Sequence, residues 1–69
     1  MVWRAVKAPK LLNALLKTGW QIKRKRGSHY VLMKSGYPDY TFASHNREEV
    51  GPRMLARIAK CTGLRPKDI

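Results

Sequence analysis

A histidine close behind a block of cations is the feature of this sequence best suited to chemistry. His29 follows the pair Gly27-Ser28, which is typical of a turn. Four consecutive cations precede that turn: Lys23, Arg24, Lys25 and Arg26. A neutral imidazole beside a phosphodiester can act as a general base, and in RNA the 2′-hydroxyl is the group it would deprotonate. The four cations are candidates for binding phosphate and for stabilising the charge that develops on it.

The same residues also have a plainer interpretation, a solvated basic hairpin with a surface histidine that has no role. Strand alternation would divide the four cations between two faces, so about two of them could meet a ligand on either face. The composition favours a ligand, because 15 Lys and Arg oppose 4 Asp and Glu in 69 residues, for a net charge of +11. Such an excess favours a polyanionic partner: nucleic acid, an acidic protein or an anionic membrane surface.

Other side chains are weaker candidates. His45 could be a second acid/base group, or it could bond to backbone as the chain approaches a helix. Tyr30 could stack on a base. A metal site at His45 and Glu49 is only weakly indicated, since the sequence has no recognised metal-ligand spacing. We therefore expect no metal and no cofactor.

The lone cysteine, Cys61, excludes a disulfide within the chain, and we expect its side chain to be half-buried. The sequence contains no apolar run long enough to span a bilayer and no signal-peptide pattern. These features predict a reduced, cytoplasmic protein without a membrane role.

Two amphipathic helices are predicted. Apolar residues in the first recur at helical spacing from Ala8 to Thr18, and Gly19-Trp20 matches a common helix ending. The second helix is predicted from Pro52 to Thr62, with an apolar face that includes Leu55 and Ile58. Residues 1–7 form a basic leader, either flexible or packed through Trp3, and residues 8–69 form a single domain.

Three strands are predicted between the helices. They begin at Trp20, run over His29–Lys34 and, after a turn at Ser35–Asp39, over Tyr40–Ser44. The order α-β-β-β-α predicts an α+β domain with a three-stranded antiparallel sheet and both helices on one face. Alternation places His29 with Val31 and Met33 on one face and Tyr30 with Leu32 on the other. Either set could face the core, and a bulge at Gly27 would change the count.

Most of the chain, residues 8 to 65, resembles the HicA toxins. One motif, beginning at Leu11, reads Leu-Leu-x-x-Leu-Leu-Lys-x-Gly-Trp, and a second, beginning at Arg24, reads Arg-x-x-Gly-Ser-His-Tyr. The closing segment also fits, from His45 through Glu49-Val50 to Gly63-Leu64. The resemblance implies a fold like that of a double-stranded RNA-binding domain. It also implies metal-independent cleavage of mRNA with His29 as the essential histidine, and neutralisation by a HicB-type antitoxin.

The chain departs from the family at Arg53-Met54, where family members usually have Gly-Thr. Two other functions therefore stay open. One is a non-catalytic RNA-binding module with the same fold, and the other is a small basic protein neutralised by an acidic partner. DNA recognition is less favoured, because no helix-turn-helix spacing is present.

Overall fold

The computed structural model describes residues 3–43 and 49–69. In chain order the elements are β1 (Val6–Lys7), α1 (Ala8–Lys17), β2 (Gln21–Arg26), β3 (His29–Lys34), β4 (Tyr37–Ala43), β5 (Glu49–Val50), α2 (Pro52–Thr62) and a 3₁₀ turn (Pro66–Asp68). Strands β2, β3 and β4 form an antiparallel sheet in that order, and both helices pack on one face of it. The predicted α+β class and the α-β-β-β-α order are confirmed.

Helix α1 forms because its apolar residues lie on one side. Leu11 and Leu15 are fully buried, while Leu12 packs at the border of the core. The helix ends in the manner predicted from Gly19, whose φ of +106° favours glycine. The Gly19 N–H donates to the Leu16 carbonyl, and the Trp20 N–H donates to the Leu15 carbonyl at 3.2 Å. These two bonds form a Schellman ending and turn the chain toward β2.

Trp20 joins the ends of the two helices. Its indole is only 1 % exposed, and its Nε1–H donates to the carbonyl of Thr62, the last residue of α2, at 3.2 Å. Its ring lies 5.4 Å from the ring of Tyr37 on β4. Lys34 of β3 donates from Nζ to the Thr18 carbonyl at 2.7 Å, which places a positive charge at the C-terminus of α1. Both helices are thereby held to the sheet at one end.

The core lies between the helices and the sheet. The sheet contributes Leu32 of β3 and Phe42 of β4 to the core, and α2 contributes Leu55 and Ile58. Every residue of β2 is exposed. Strand β2 therefore carries the basic block without burying a charge.

The first residues of two strands differ from the sequence-based expectations. Strand β2 begins at Gln21, and Trp20 precedes it as a core residue. Strand β4 begins at Tyr37, because Ser35-Gly36 alone forms the turn. Gly36 has a φ of +86°, so a two-residue connection suffices where five residues were expected. Residue 44, the predicted last residue of this strand, lies outside the described residues.

The expectation that Cys61 is half-buried is wrong, since its side chain is exposed on α2. Its position in the helix is at the border of the side that holds the buried residues Ile58 and Thr62, and there the side chain is open to solvent. Burial, with a smaller contribution from Cys61, raises the pKa of the Tyr40 phenol above its ordinary value of 10.0. The phenol is therefore neutral at physiological pH.

A second, two-stranded sheet was not predicted. Val6 pairs with Val50 and Lys7 with Glu49, so β1 and β5 run antiparallel. Trp3 is partly buried and packs against the core. Residues 3–7 thus contact the domain that follows them.

Alanine in place of Gly63 is expected to destabilise the domain more than alanine in place of Gly36. Both glycines have positive φ, +74° and +86°, so both variants carry the backbone strain, about 1–2 kcal/mol. A Cβ at Gly63 would also lie 2.7 Å from the Tyr37 hydroxyl oxygen, whereas one at Gly36 would meet nothing within 4 Å. Urea unfolding of both variants measures the difference.

The same two alanine variants, made in a Tyr37→Phe background, test whether the Tyr37 hydroxyl causes the difference. Removal of the hydroxyl leaves ring carbons at 3.5 Å and beyond from the added Cβ, which is ordinary contact. In that background the two alanine variants should be equally destabilised. An undiminished difference would show that the Tyr37 oxygen is not what Gly63 accommodates.

Candidate nucleic-acid interface

The hairpin between β2 and β3 positions the predicted histidine. Gly27 and Ser28 form its two-residue loop, and Gly27 has a φ of +59°. A glycine with positive φ at the first loop position matches a type II′ turn, whose twist suits an antiparallel pair. The first pair beyond the loop is Arg26 with His29. The loop therefore places these two side chains next to each other on the same face of the sheet.

The burial of β3 resolves which face His29 occupies. Leu32 is fully buried under the helices and Tyr30 packs against the core from the same side. Since alternate residues point to opposite faces, His29, Val31 and Met33 lie on the side away from the helices. We call this side the outer face. His29 is exposed there.

Cross-strand pairing builds two rows on the outer face. One consists of Arg26, His29 and Ala43, and the other of Arg24, Val31 and Thr41. Neighbouring residues in a row have Cβ atoms about 4.5–5.5 Å apart. One histidine and two guanidinium groups thus share a small exposed area at the loop end of the sheet.

The four predicted phosphate-binding cations do not all lie on one face of the sheet. Arg24 and Arg26 lie on the outer face with His29. Lys25 pairs with Tyr30 on the helix side, where its Nζ lies 5.3 Å from the centre of that ring. Lys23 lies at a register shift in β2 and binds Asp39 of β4, with an Nζ–Oδ2 distance of 2.8 Å. A β-bulge at Lys23 explains the shift. Arg24 and Arg26 share the face of His29 because the two-residue loop pairs Arg26 with His29 and alternate residues of a strand lie on the same face.

The Lys23–Asp39 pair was not predicted. Both side chains are about half exposed, so the attraction between them is weak and is screened by salt. The pair joins the two edge strands across β3. It also lowers the net positive charge at that end of the sheet.

The remaining predicted site residues are placed as follows. Tyr30 is half-buried on the helix side, with Lys25 over its ring. Ser28 is partly exposed and its partner Gly27 is exposed in the loop. His45 lies outside the described residues. Within residues 3–43 and 49–69, no three His, Cys, Asp or Glu side chains are grouped so that they could hold a metal ion.

Neither α1 nor α2 is long and apolar enough to cross a membrane.

A second basic surface, in addition to the outer face, lies on α2, where three cations are exposed at helical spacing. Sequence reasoning missed them, although the spacing of Arg53, Arg57 and Lys60 was visible in the sequence.

Comparison with known proteins identifies a family. No curated protein and no solved structure matches the chain. The family model of the HicA toxin of bacterial toxin–antitoxin systems matches residues 8–64, which include both helices and the whole three-stranded sheet. The chain therefore belongs to the HicA toxin family, which makes it the toxin of a toxin–antitoxin pair and implies an antitoxin partner.

Proposed function

We propose that this toxin is an endoribonuclease that cleaves mRNA in the cytoplasm with His29 as its acid/base group. The observation that carries the proposal is the position of His29, exposed on the outer face directly opposite Arg26. A reactive imidazole must be reachable by a large polyanion, and a cation beside it must meet the phosphate. Family membership supports the toxin role, and cleavage of mRNA would inhibit translation and growth.

The proposed reaction needs no group beyond the RNA and the protein. His29 takes the proton of a 2′-hydroxyl, and the 2′-oxygen attacks the adjacent phosphorus. The bond from phosphorus to the 5′-oxygen then breaks, and that oxygen receives a proton from an acid. The products are a 2′,3′-cyclic phosphate and a free 5′-hydroxyl. His45 stays a predicted candidate for the acid.

Arg24 and Arg26 are the cations best placed to hold the scissile phosphate. Both lie on the outer face, and a planar guanidinium can donate two parallel hydrogen bonds to phosphate oxygens. Lys23 and Lys25 would act at longer range, because one is paired with Asp39 and the other lies over Tyr30. Their contribution to affinity is mainly the release of counterions from RNA.

The proposal also covers the loop, Tyr30 and the question of a cofactor. Gly27 and Ser28 would let an RNA backbone approach closely, since the loop carries no bulky side chain. Base stacking on Tyr30 would take place on the helix side, next to Lys25. No metal or other cofactor has a part in the proposed step.

The antitoxin partner is proposed to be of the HicB type and to neutralise the toxin by covering the outer face. An isolated chain with a net charge of +11 attracts any polyanion. An acidic antitoxin surface would occupy the arginines that RNA needs and would exclude RNA from His29.

Replacement of His29 by alanine is expected to reduce RNA cleavage by about 10²–10⁴-fold, the usual contribution of a general base. Affinity for an uncleavable 2′-O-methyl RNA should be nearly unchanged, because the proposal assigns phosphate binding to the arginines and only proton transfer to His29. Cleavage is measured by gel and product mass, and growth arrest is followed in a host that expresses the protein.

Met33→Ala is the matched control, since Met33 lies on the same strand and face and is 41 % exposed. It should cleave RNA like the wild type. Full activity of His29→Ala, or 5′-phosphate products that require a metal, would refute the mechanism. Tight RNA binding without any cleavage by the wild type would instead indicate a non-catalytic RNA-binding module.

Replacement of Arg26 by alanine is expected to slow cleavage by about tenfold or more, through loss of a donor to the phosphate in the transition state. Replacement of its neighbour Lys25, which removes the same charge on the other side of the strand, should slow cleavage much less. Single-turnover rates at saturating enzyme separate this effect from binding. Equal losses in the two variants would show that only the charge of the strand matters.

A further inference from the structure

Helix α2 exposes a second basic surface. Arg53, Arg57 and Lys60 are spaced at i, i+4 and i+7, and all three are exposed. This spacing places them on one side of the helix, over about 10 Å of its length. The opposite side holds the buried residues Leu55 and Ile58. We call these three cations the α2 stripe.

The α2 stripe has no counter-charge among the described carboxylates. The sequence of α2 contains no Asp or Glu. Of the described carboxylates, Asp39 pairs with Lys23 and Asp68 with Arg65, and none forms an ion pair with the stripe. Like charges at i and i+4 repel one another, so an anion bound along the stripe would relieve that repulsion.

The α2 stripe is separate from His29. The helices pack on the face of the sheet opposite the outer face, and the exposed side of α2 is turned away from the core. The molecule is only 17 Å across its thinnest dimension. The two basic surfaces thus lie on opposite sides of the domain, and an RNA strand that contacts both must pass around an edge of the sheet.

We propose that the α2 stripe binds backbone phosphates of RNA at a distance from the scissile bond. The inference deepens the proposed function, on which it rests. Two of its three cations are arginines, whose guanidinium groups suit phosphate oxygens. A protein partner would require apolar or aromatic anchors, and Met54 is the one large apolar side chain of α2 that is substantially exposed. RNA is therefore the better match for this surface.

If the α2 stripe binds RNA, its contribution to affinity depends on the length of the RNA. An RNA of about five nucleotides bound at His29 and the hairpin is too short to reach α2 as well, whereas one of about 30 nucleotides can fold back or continue around the domain to reach α2. The stripe then adds affinity for long RNA alone. It acts on binding and leaves the rate of the chemical step on short RNA unchanged.

The test measures binding of 2′-O-methyl RNA, which cannot be cleaved by the proposed reaction. The triple variant Arg53→Ala, Arg57→Ala, Lys60→Ala is compared with the wild type at several salt concentrations. For the long RNA, loss of three phosphate contacts should reduce the slope of log Kd against log salt by about 2, and weaken binding by about tenfold or more at low salt. For the short RNA, Kd should stay within about twofold of the wild type.

Lys67→Ala is the control, because it removes an exposed cation that lies outside the α2 stripe. It should alter the slope for long RNA by much less. Thermal unfolding of each variant shows that the fold is kept. Unchanged affinity of the triple variant for long RNA, or equal weakening for long and short RNA, would overturn the proposal.

Two further outcomes separate this proposal from its alternatives. Loss of antitoxin binding by the triple variant, with RNA binding intact, would assign the α2 stripe to an acidic protein and would also overturn the proposal. Failure of the wild type to cleave RNA, with the expected difference between long and short RNA still present, would contradict the catalytic proposal and support this one.

Discussion

The position of Trp20 is the constraint on which the rest of the structure depends. Its backbone closes α1, its indole N–H bonds to the end of α2 and its ring packs on β4. Strand β2 begins at the next residue, so the direction in which the basic hairpin leaves the core is set at this point. Because the indole is buried, a lost bond to the Thr62 carbonyl would leave a polar atom without a partner, which costs about 1–3 kcal/mol. The arrangement of His29 and Arg26 thus depends on a contact at the far end of the sheet.

Much of this arrangement could be predicted because it depends on local sequence. The apolar period of α2 predicts its bounds at Pro52 and Thr62 correctly, and Gly19 identifies the end of α1 because few other residues adopt its φ. The alternation around His29 also predicts that it shares a face with Val31. Each of these inferences rests on a period or a backbone preference within about ten residues, which the sequence shows directly.

Other features depend on contacts between distant segments, and no local pattern shows them. Alternation could not predict whether the face of His29 or the face of Tyr30 is turned toward the core, since both faces of the strand carry apolar residues. Only the packing of the helices on Leu32 shows that the face of Tyr30 is the buried one. The pairing of Val6 with Val50 joins residues far apart in the chain. The register shift after Ile22 likewise depends on its partner strand. The packing of the helices and the register shift determine which face of the sheet His29 occupies and where Lys23 lies, and neither could be predicted from the sequence alone.

The charge of the domain links its stability to its partners. A 69-residue domain buries only about 60 % of its unfolded surface, so its folded state has little free energy to spare. A net charge of +11, to which Arg24, Arg26 and the α2 stripe contribute, adds self-repulsion to that small margin. A polyanion that binds the folded form more tightly than the unfolded chain raises the free energy of unfolding. Additional carboxylates on either surface would stabilise the free domain, but they would also weaken its attraction for every polyanion. The basic surfaces of the domain therefore oppose the stability of the isolated toxin.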